Sequence, residues 1–333
     1  MPDFNLQFYK DEAEYYKSKL DYHNRYFAPV PAKGIKGKIK EFVKSYRAKK
    51  RRKQQERNEL KRKKEYSVPV DGLNHEKREI PVIVSLTSFP ARMGEVPAAI
   101  GSMLRQTMKP DRIILHLTKS QFEGKELPEQ IKALMDKSGV EVVFCEENLK
   151  PHTKYLYAML ANPDAIIVTV DDDIIYRPTL IEELYASYLR HPDCVSCVRA
   201  HKIRFTKEGK LMPYNDWIME SHYGIDVPSH QLLATGVGGV LYPPRCLPEE
   251  AFDKKAIEAT CLNADDLWLK VMEIRKGTKV VLCADSQLPQ EILQGAQTVS
   301  LLSGNVAGGK NDEQMQKILD YFSMDLADYI IED

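Results

Sequence analysis

Between Ile80 and Cys283 short apolar runs alternate with stretches in which apolar residues recur every three or four positions. The runs at Val82–Leu86, Arg112–Leu117, Val140–Phe144, Ala165–Val170, Cys194–Val198 and Lys279–Cys283 predict strands. The periodic stretches Ala98–Gln106, Pro128–Asp136, Thr153–Leu160, Thr179–Arg190 and Ala264–Arg275 predict the helices between them. The fourth helix is the clearest: Leu180, Ile181, Leu184, Tyr185 and Tyr188 fall on one face, and Pro178 stands where a helix begins. Strand, helix and strand in this rhythm pair in parallel through right-handed crossovers. The expected fold class is therefore α/β, an open, mostly parallel sheet flanked by helices. Ligands of such sheets bind beyond the carboxyl ends of the strands, which directs attention to the residues just after each apolar run.

Residues 1–76 have a different texture, rich in helix formers and without a clear strand, and are expected to form an N-terminal helical, basic extension. Residues 77–300 are expected to form the α/β domain, and 301–333 a flexible segment and a helix. The chain of 333 residues balances 48 Lys and Arg against 48 Asp and Glu. That balance hides an asymmetry, because Lys33 to Lys64 holds 16 basic and 3 acidic residues. Ile35, Ile39, Phe42, Val43 and Tyr46 would draw a narrow apolar stripe along a helix there. Such a helix is either a solvated arm or a surface for anionic lipid head groups; nothing in it reads bases, so no nucleic acid is expected. Met1–Lys10 is polar and acidic, and apolar runs such as Ala165–Val168 fall far short of the ~20 residues that span a bilayer. The expected location is the cytoplasm, peripheral on the inner face of the membrane. Six cysteines, with Cys194 and Cys197 in a strand-like run, read as buried thiols rather than a disulfide or zinc framework.

The apolar run Ala165–Val170 ends directly in Asp171-Asp172-Asp173. Three adjacent carboxylates at the tip of a buried strand repel one another, and a divalent cation removes the conflict. If the chain stays extended, Asp171 and Asp173 point to one side and Asp172 to the other. The first two would then hold Mg²⁺ or Mn²⁺, leaving coordination positions for water and phosphate. No G-x-x-x-x-G-K-[ST] loop is present, and no G-x-G-x-x-G follows the first strand, which disfavours nucleotide hydrolysis and dinucleotide binding. A ligand whose diphosphate is bridged by the metal suits the pattern.

Pro81-Val-Ile-Val-Ser-Leu-Thr-Ser-Phe-Pro-Ala-Arg92, then Ile100-Gly-Ser-Met-Leu-Arg-Gln-Thr-Met-Lys-Pro-Asp-Arg-Ile-Ile-Leu115, resembles the opening of GT-A glycosyltransferases of the family 2 type. Thr169-Val-Asp-Asp-Asp-Ile-Ile175 is similar to their Asp-x-Asp segment, Gly236-Val-Gly-Gly239 to their Gly-rich acceptor-side loop, and Asn263-Ala-Asp-Asp-Leu-Trp-Leu269 to the motif that supplies the base. The resemblance implies a GT-A fold and a metal-dependent, inverting transfer from a UDP-sugar to a cell-surface glycan or lipid-linked acceptor.

Carried onto this chain, the resemblance places Thr87, Ser88 and Arg92 near the nucleotide. Asp171 or Asp172 would face the ribose, and Asp171 with Asp173 the metal and diphosphate. Asp266, with Asp265 as the alternative, would be the general base. Lys154 would reach a donor phosphate, and Trp217, Gly238 and Gly239 would lie on the acceptor side. His152 is expected as a local cap or surface group and Trp268 as core; Asn305 and Asp312 lie in a Gly-rich segment that either completes the metal site or is only a linker before the last helix. Two rival readings are a sugar-1-phosphate nucleotidyltransferase, which also uses strand-end aspartates and Mg²⁺, and a non-catalytic glycan- or membrane-binding protein.

Overall fold

A computed structural model describes residues 10–11, 14–17, 53–54, 56–222, 224–284, 291–293 and 309–330. Most of the basic arm and Asn305 lie outside these residues. The first half is a run of crossovers: β1 (Val82–Ser88), α1 (Val96–Met103), β2 (Arg112–Thr118), α2 (Glu129–Ser138), β3 (Glu141–Cys145), α3 (Thr153–Ala161), β4 (Ile166–Thr169), the two-residue β5 (Ile174–Ile175) and α4 (Leu180–Arg190). The second half holds β6 (Val195–Cys197), β7 (Ala200–Lys202), β8 (Leu232–Ala234), β9 (Val240–Tyr242), α5 (Lys254–Thr260), α6 (Asp265–Lys276), β10 (Val280–Leu282), β11 (Glu291–Ile292) and α7 (Lys310–Phe322). Every strand and helix expected from the pattern forms, with ends displaced by a few residues.

The central sheet runs β10-β6-β9-β4-β1-β2-β3. β1 pairs in parallel with β2 and β4, as do β2 with β3 and β6 with β10. Alternation along β1 sorts its side chains between two layers. Val82, Val84 and Leu86 join the core under α1, α2 and α4, while Ile83 meets Ala158 of α3 on the opposite face. A second core, around Trp217 and Trp268, gathers β6, β8, β9, α5, α6 and α7.

Three residues, Val240 to Tyr242, supply what the sequence pattern did not foresee. β9 inserts antiparallel between β4 and β6 and so separates the two parallel halves. A run this short straight after glycines carries no periodicity, and its strand character comes from the pairing on both sides. The two-stranded β7–β8 ribbon stands apart from the main sheet.

The end of the basic arm belongs structurally to this body. A helix over 56–66 leads into a segment that crosses α1. Lys63 Nζ pairs with Glu95 at 2.9 Å, and the Arg105 guanidinium donates to the carbonyls of Tyr66 and Val68 at 3.2 and 3.0 Å. The approach is close because α1 has a glycine there: a Cβ on Gly101 would stand 1.7 Å from Tyr66 O. Gly101→Ala should therefore push the arm off α1 and cost about 1–3 kcal/mol, read by urea denaturation. Amide exchange should rise across 56–76 and stay unchanged in β1; uniform exchange would show that the contact is incidental.

Candidate active site

β4 ends at Thr169, and the chain leaves the extended conformation before the three aspartates, which lie in a turn between β4 and β5. The alternation of faces expected for an extended run therefore does not hold. Asp171 turns one way and accepts from Lys154 Nζ at 2.9 Å. Asp172 and Asp173 turn together toward Arg92, whose Nη1 donates to them at 2.8 and 3.0 Å. Ser88 Oγ makes a short hydrogen bond to the buried Asp172. The turn is held from outside as well. The Asp171 N–H donates to the Tyr176 hydroxyl at 2.8 Å, and the Leu293 N–H donates to Asp173 O at 2.8 Å as β11 pairs with β5.

Asp265 and Asp266 occupy the first turn of α6, where the helix dipole favours negative charge. Asp266 Oδ1 accepts the Gly236 N–H at 3.0 Å. Lys154, in the first turn of α3, reaches across so that its Nζ lies 3.1 Å from Asp265 Oδ2. Gly236 covers this meeting point. A Cβ there would stand 2.7 Å from Lys154 Nζ, 3.3 Å from Asp266 Oδ1 and 3.6 Å from Asp171 Oδ1. Residues distant in the chain, on α3, after β4, after β8 and on α6, thus converge on one spot.

Five carboxylates here face the two cations Lys154 and Arg92, and the imbalance shows in their proton affinities. Burial, reinforced by Asp171 and Asp172, pushes Asp173 up to about 7 against the pull of Arg92. Burial and Asp265 push Asp266 up to about 8, with Lys154 opposing. Burial also raises Asp172. Burial works against the Lys154 charge, but Asp171, Asp265 and Asp266 outweigh it and hold the ammonium well above the usual lysine range.

Several residues sit otherwise than expected. Lys154 faces carboxylates, because a buried ammonium on α3 needs anions and finds them at Asp171 and Asp265. Thr87 Oγ1 donates to His116 O of β2 at 2.9 Å, a contact of the strand edge. Trp217 is 1% exposed, donating Nε1–H to Met212 O at 2.8 Å, so it is a core side chain without an open ring face for a sugar. Its half-buried neighbour Tyr214, with ring centres 5.0 Å apart, stands closer to the solvent side. Gly238 and Gly239 serve packing: a Cβ on the first would stand 2.8 Å from Arg199 Cβ, and one on the second 2.9 Å from Leu180 Cδ2.

His152 is a buried core histidine, its Nε2 2.7 Å from Cys261 O and its Nδ1 3.1 Å from the Tyr155 hydroxyl. Trp268 is core as expected, and five of the six free cysteines are buried. Asp312 accepts the Tyr214 N–H at 2.6 Å, which ties α7 to the loop before Trp217. The sequence reading missed Gly236 and Tyr176 as site-shaping residues. The first opens the glycine run, and the second lies three residues after the aspartates, so position alone could have drawn attention to both.

Among the described residues no three or more His, Cys, Asp or Glu side chains are grouped so as to hold a metal ion by themselves. Asp171 and Asp173 carry the hard carboxylate oxygens that a divalent cation takes, beside surplus negative charge, and in this structure they are turned to different cations, Lys154 and Arg92. Within the described residues no helix is long and apolar enough to cross a membrane.

Residues 93–230 match the family model described as Glycosyl transferase family 2. The matched stretch includes Lys154 and Asp171–Asp173 and stops before Gly236 and Asp266. No curated protein matches the chain. Among solved structures, a mannosyltransferase from Pyrobaculum calidifontis in complex with GDP-Man and Mn2+ is similar at 12% identity and a TM-score of 0.45, over 79% of this chain and 70% of that one. The family match lies over the first part of the α/β body, so residues 93–230 are what is similar to family 2 glycosyl transferases.

Proposed function

We propose that the protein transfers a sugar from a nucleoside-diphosphate donor, of the UDP type that the sequence resemblance implies, to a hydroxyl of a cell-surface glycan or lipid-linked acceptor. The reaction would be metal-dependent and would invert the anomeric centre. The observation that carries this reading is the meeting of Asp171, Lys154 and Asp266 beneath Gly236. Two carboxylate functions are needed on different elements: one pair to anchor the donor's diphosphate and another group to deprotonate the incoming hydroxyl. Asp171 and Asp173, after β4, would hold Mg²⁺ or Mn²⁺, which when bound neutralises charge on the departing diphosphate.

Asp266, on α6, is the base. Its Oδ1 is fixed by the Gly236 N–H, which leaves Oδ2 to accept the acceptor's proton. Its raised proton affinity makes it a stronger base once ionised. Lys154 holds Asp171 and Asp265 in place. Arg92 and Ser88 fix Asp172 and so set the turn that presents its two neighbours.

The basic stretch 33–64 would hold the enzyme at an anionic membrane face where lipid-linked acceptors reside. Because 63–78 dock on the body, the lipid contact falls to the part before them.

Asp266→Asn should lower the turnover of transfer about 10²–10⁴-fold while donor binding, measured by calorimetry with Mn²⁺, stays intact. Asp173→Asn should abolish metal-dependent donor binding. Normal transfer by the first variant would overturn the assignment of the base.

The pH dependence follows from the signs. Transfer should rise with pH and level off above about 8, where Asp266 is ionised. Folding stability of the metal-free protein should run the other way. Asp173 binds its proton more tightly in the folded state, about 7 against 3.8, so stability is highest below the lower value and is lost as pH rises through the higher one. The loss has an upper bound of roughly 4 kcal/mol. Thermal melts from pH 4 to 8 should show this slope in wild type and a shallower one in Asp173→Asn.

For the arm, replacing the Lys and Arg residues of 33–53 by Gln should abolish co-sedimentation with anionic vesicles at physiological salt, with transfer to a soluble acceptor retained. Unchanged co-sedimentation would remove the membrane role.

A further inference from the structure

Two cations, Lys202 of β7 and Arg204 just after it, are buried beneath a short piece of the N-terminal segment. Lys202 and Arg204 are 2% and 1% exposed. Lys202 Nζ lies 2.7 Å from Asp11 Oδ1 and 3.9 Å from Glu14 Oε2. Gln231 Nε2 donates to Asp11 Oδ2 at 3.1 Å, and Ser221 Oγ donates to Glu14 Oε1 at 2.7 Å. The Arg204 guanidinium sits 4.5 Å from the centre of the Tyr15 ring, and the Tyr15 hydroxyl donates to Asp216 Oδ1 at 3.4 Å. The body thus contributes an ammonium, an amide and a hydroxyl that converge on two carboxylates delivered from about two hundred residues away in the chain.

That arrangement is the chemistry of an anion site. A buried lysine must be paired, and removing its partner without replacement is costly, whereas exchanging one anion for another keeps it paired. The acids that fill the site belong to a segment which itself exposes Tyr16 and Lys17. The pocket also leads to the catalytic cluster. Leu232 lies beside Lys202 in the ribbon, and β8 continues through Ala234 to Gly236 over Asp266. At about 3.3 Å per residue, the path from Leu232 to Gly236 is no more than about 13 Å, with about 5 Å more across the ribbon to Lys202.

We propose that this pocket is an anion-binding subsite for an acceptor bearing a carboxylate or phosphate group, and that Asp11 and Glu14 occupy it in cis until such a group displaces them. The link to the acceptor rests on the transfer reading above; the pocket's affinity for anions does not. Tethered carboxylates compete at high effective concentration, so an external anion binds the intact chain weakly and binds more tightly once they are removed.

The test uses the full-length chain with Asp11→Lys and Glu14→Lys together, which sets like charges against Lys202 and drives the segment out. Calorimetry at constant ionic strength with inorganic phosphate and, separately, D-glucuronate should show at least tenfold tighter binding of one or both than in wild type. The anion that gains tells phosphate from carboxylate acceptors. Adding Lys202→Met should return binding to the wild-type level or below. Equal binding by wild type and the double variant would overturn the proposal.

Should the double variant fail to fold, wild-type protein still decides the matter. Tryptic cleavage after Lys17 should accelerate as phosphate or glucuronate replaces chloride, and an unchanged rate with both anions would sink the idea. Metal-dependent donor hydrolysis, followed in the same samples, keeps the two readings separate: its absence together with tighter anion binding would count against sugar transfer and not against the pocket.

Discussion

The Lys154 ammonium, buried among carboxylates, is the interaction on which the rest of the site depends. It binds the turn after β4 to the start of α6, two segments separated by about a hundred residues and by the antiparallel strand β9. Neither segment would bring its acids so close to the other without it, since carboxylates crowded into a partly dry space repel one another. The lysine comes from α3, and α3 is fixed by ordinary packing: Ser85 Oγ donates to the Lys154 carbonyl, and Ala158 lies against Ile83 and Ile167. A hydrophobic helix on one face of the sheet thereby determines where a charge ends up at its carboxyl edge.

Two cations do not balance five acids, and the fold tolerates the difference. Asp173 and Asp266 keep part of their protons near neutral pH, a compromise that a protein selected for stability alone would avoid. The strain is local because each acid has a structural tether besides its charge partner. Asp172 has Ser88, Asp173 is bound through its backbone to Leu293, and Asp266 has the Gly236 N–H. The tethers keep the carboxylates in place whether or not they are ionised.

Sequence pattern made the sheet legible because the strands of its first half are long, apolar and separated by helices of clear periodicity; Val82–Ser88 and Leu180–Arg190 needed no tertiary information. Asp171–Asp173 stood out since acids rarely follow such an apolar run, whereas Asp266 follows none and was pointed to by the family resemblance alone. What pattern could not give was direction. Lys154 read as a ligand of a donor phosphate and the resemblance set Arg92 near the nucleotide, but in the folded chain each turns to the nearest buried acids. Trp217, in a loop-rich stretch, read equally as an acceptor-side stacking surface or a core residue, and its indole closes the second core. In the glycine run the chemistry-bearing residue is Gly236 and the packing ones are Gly238 and Gly239, a distinction set by Lys154, Arg199 and Leu180 from other elements.

The same glycine run explains why the two halves of the molecule act as one site. Gly239, at φ 89°, takes a left-handed conformation that L residues with side chains rarely adopt, and it lets the chain turn from the ribbon into β9. β9 then locks between β4, which leads into the aspartate turn, and β6. Any shift of β9 relative to β4 would therefore move Gly236 relative to Asp171, and with it the N–H that holds Asp266. Register in the middle of the sheet sets the distance between the acids of the two halves, so the antiparallel strand least visible in the sequence is the one that fixes the geometry of the chemistry.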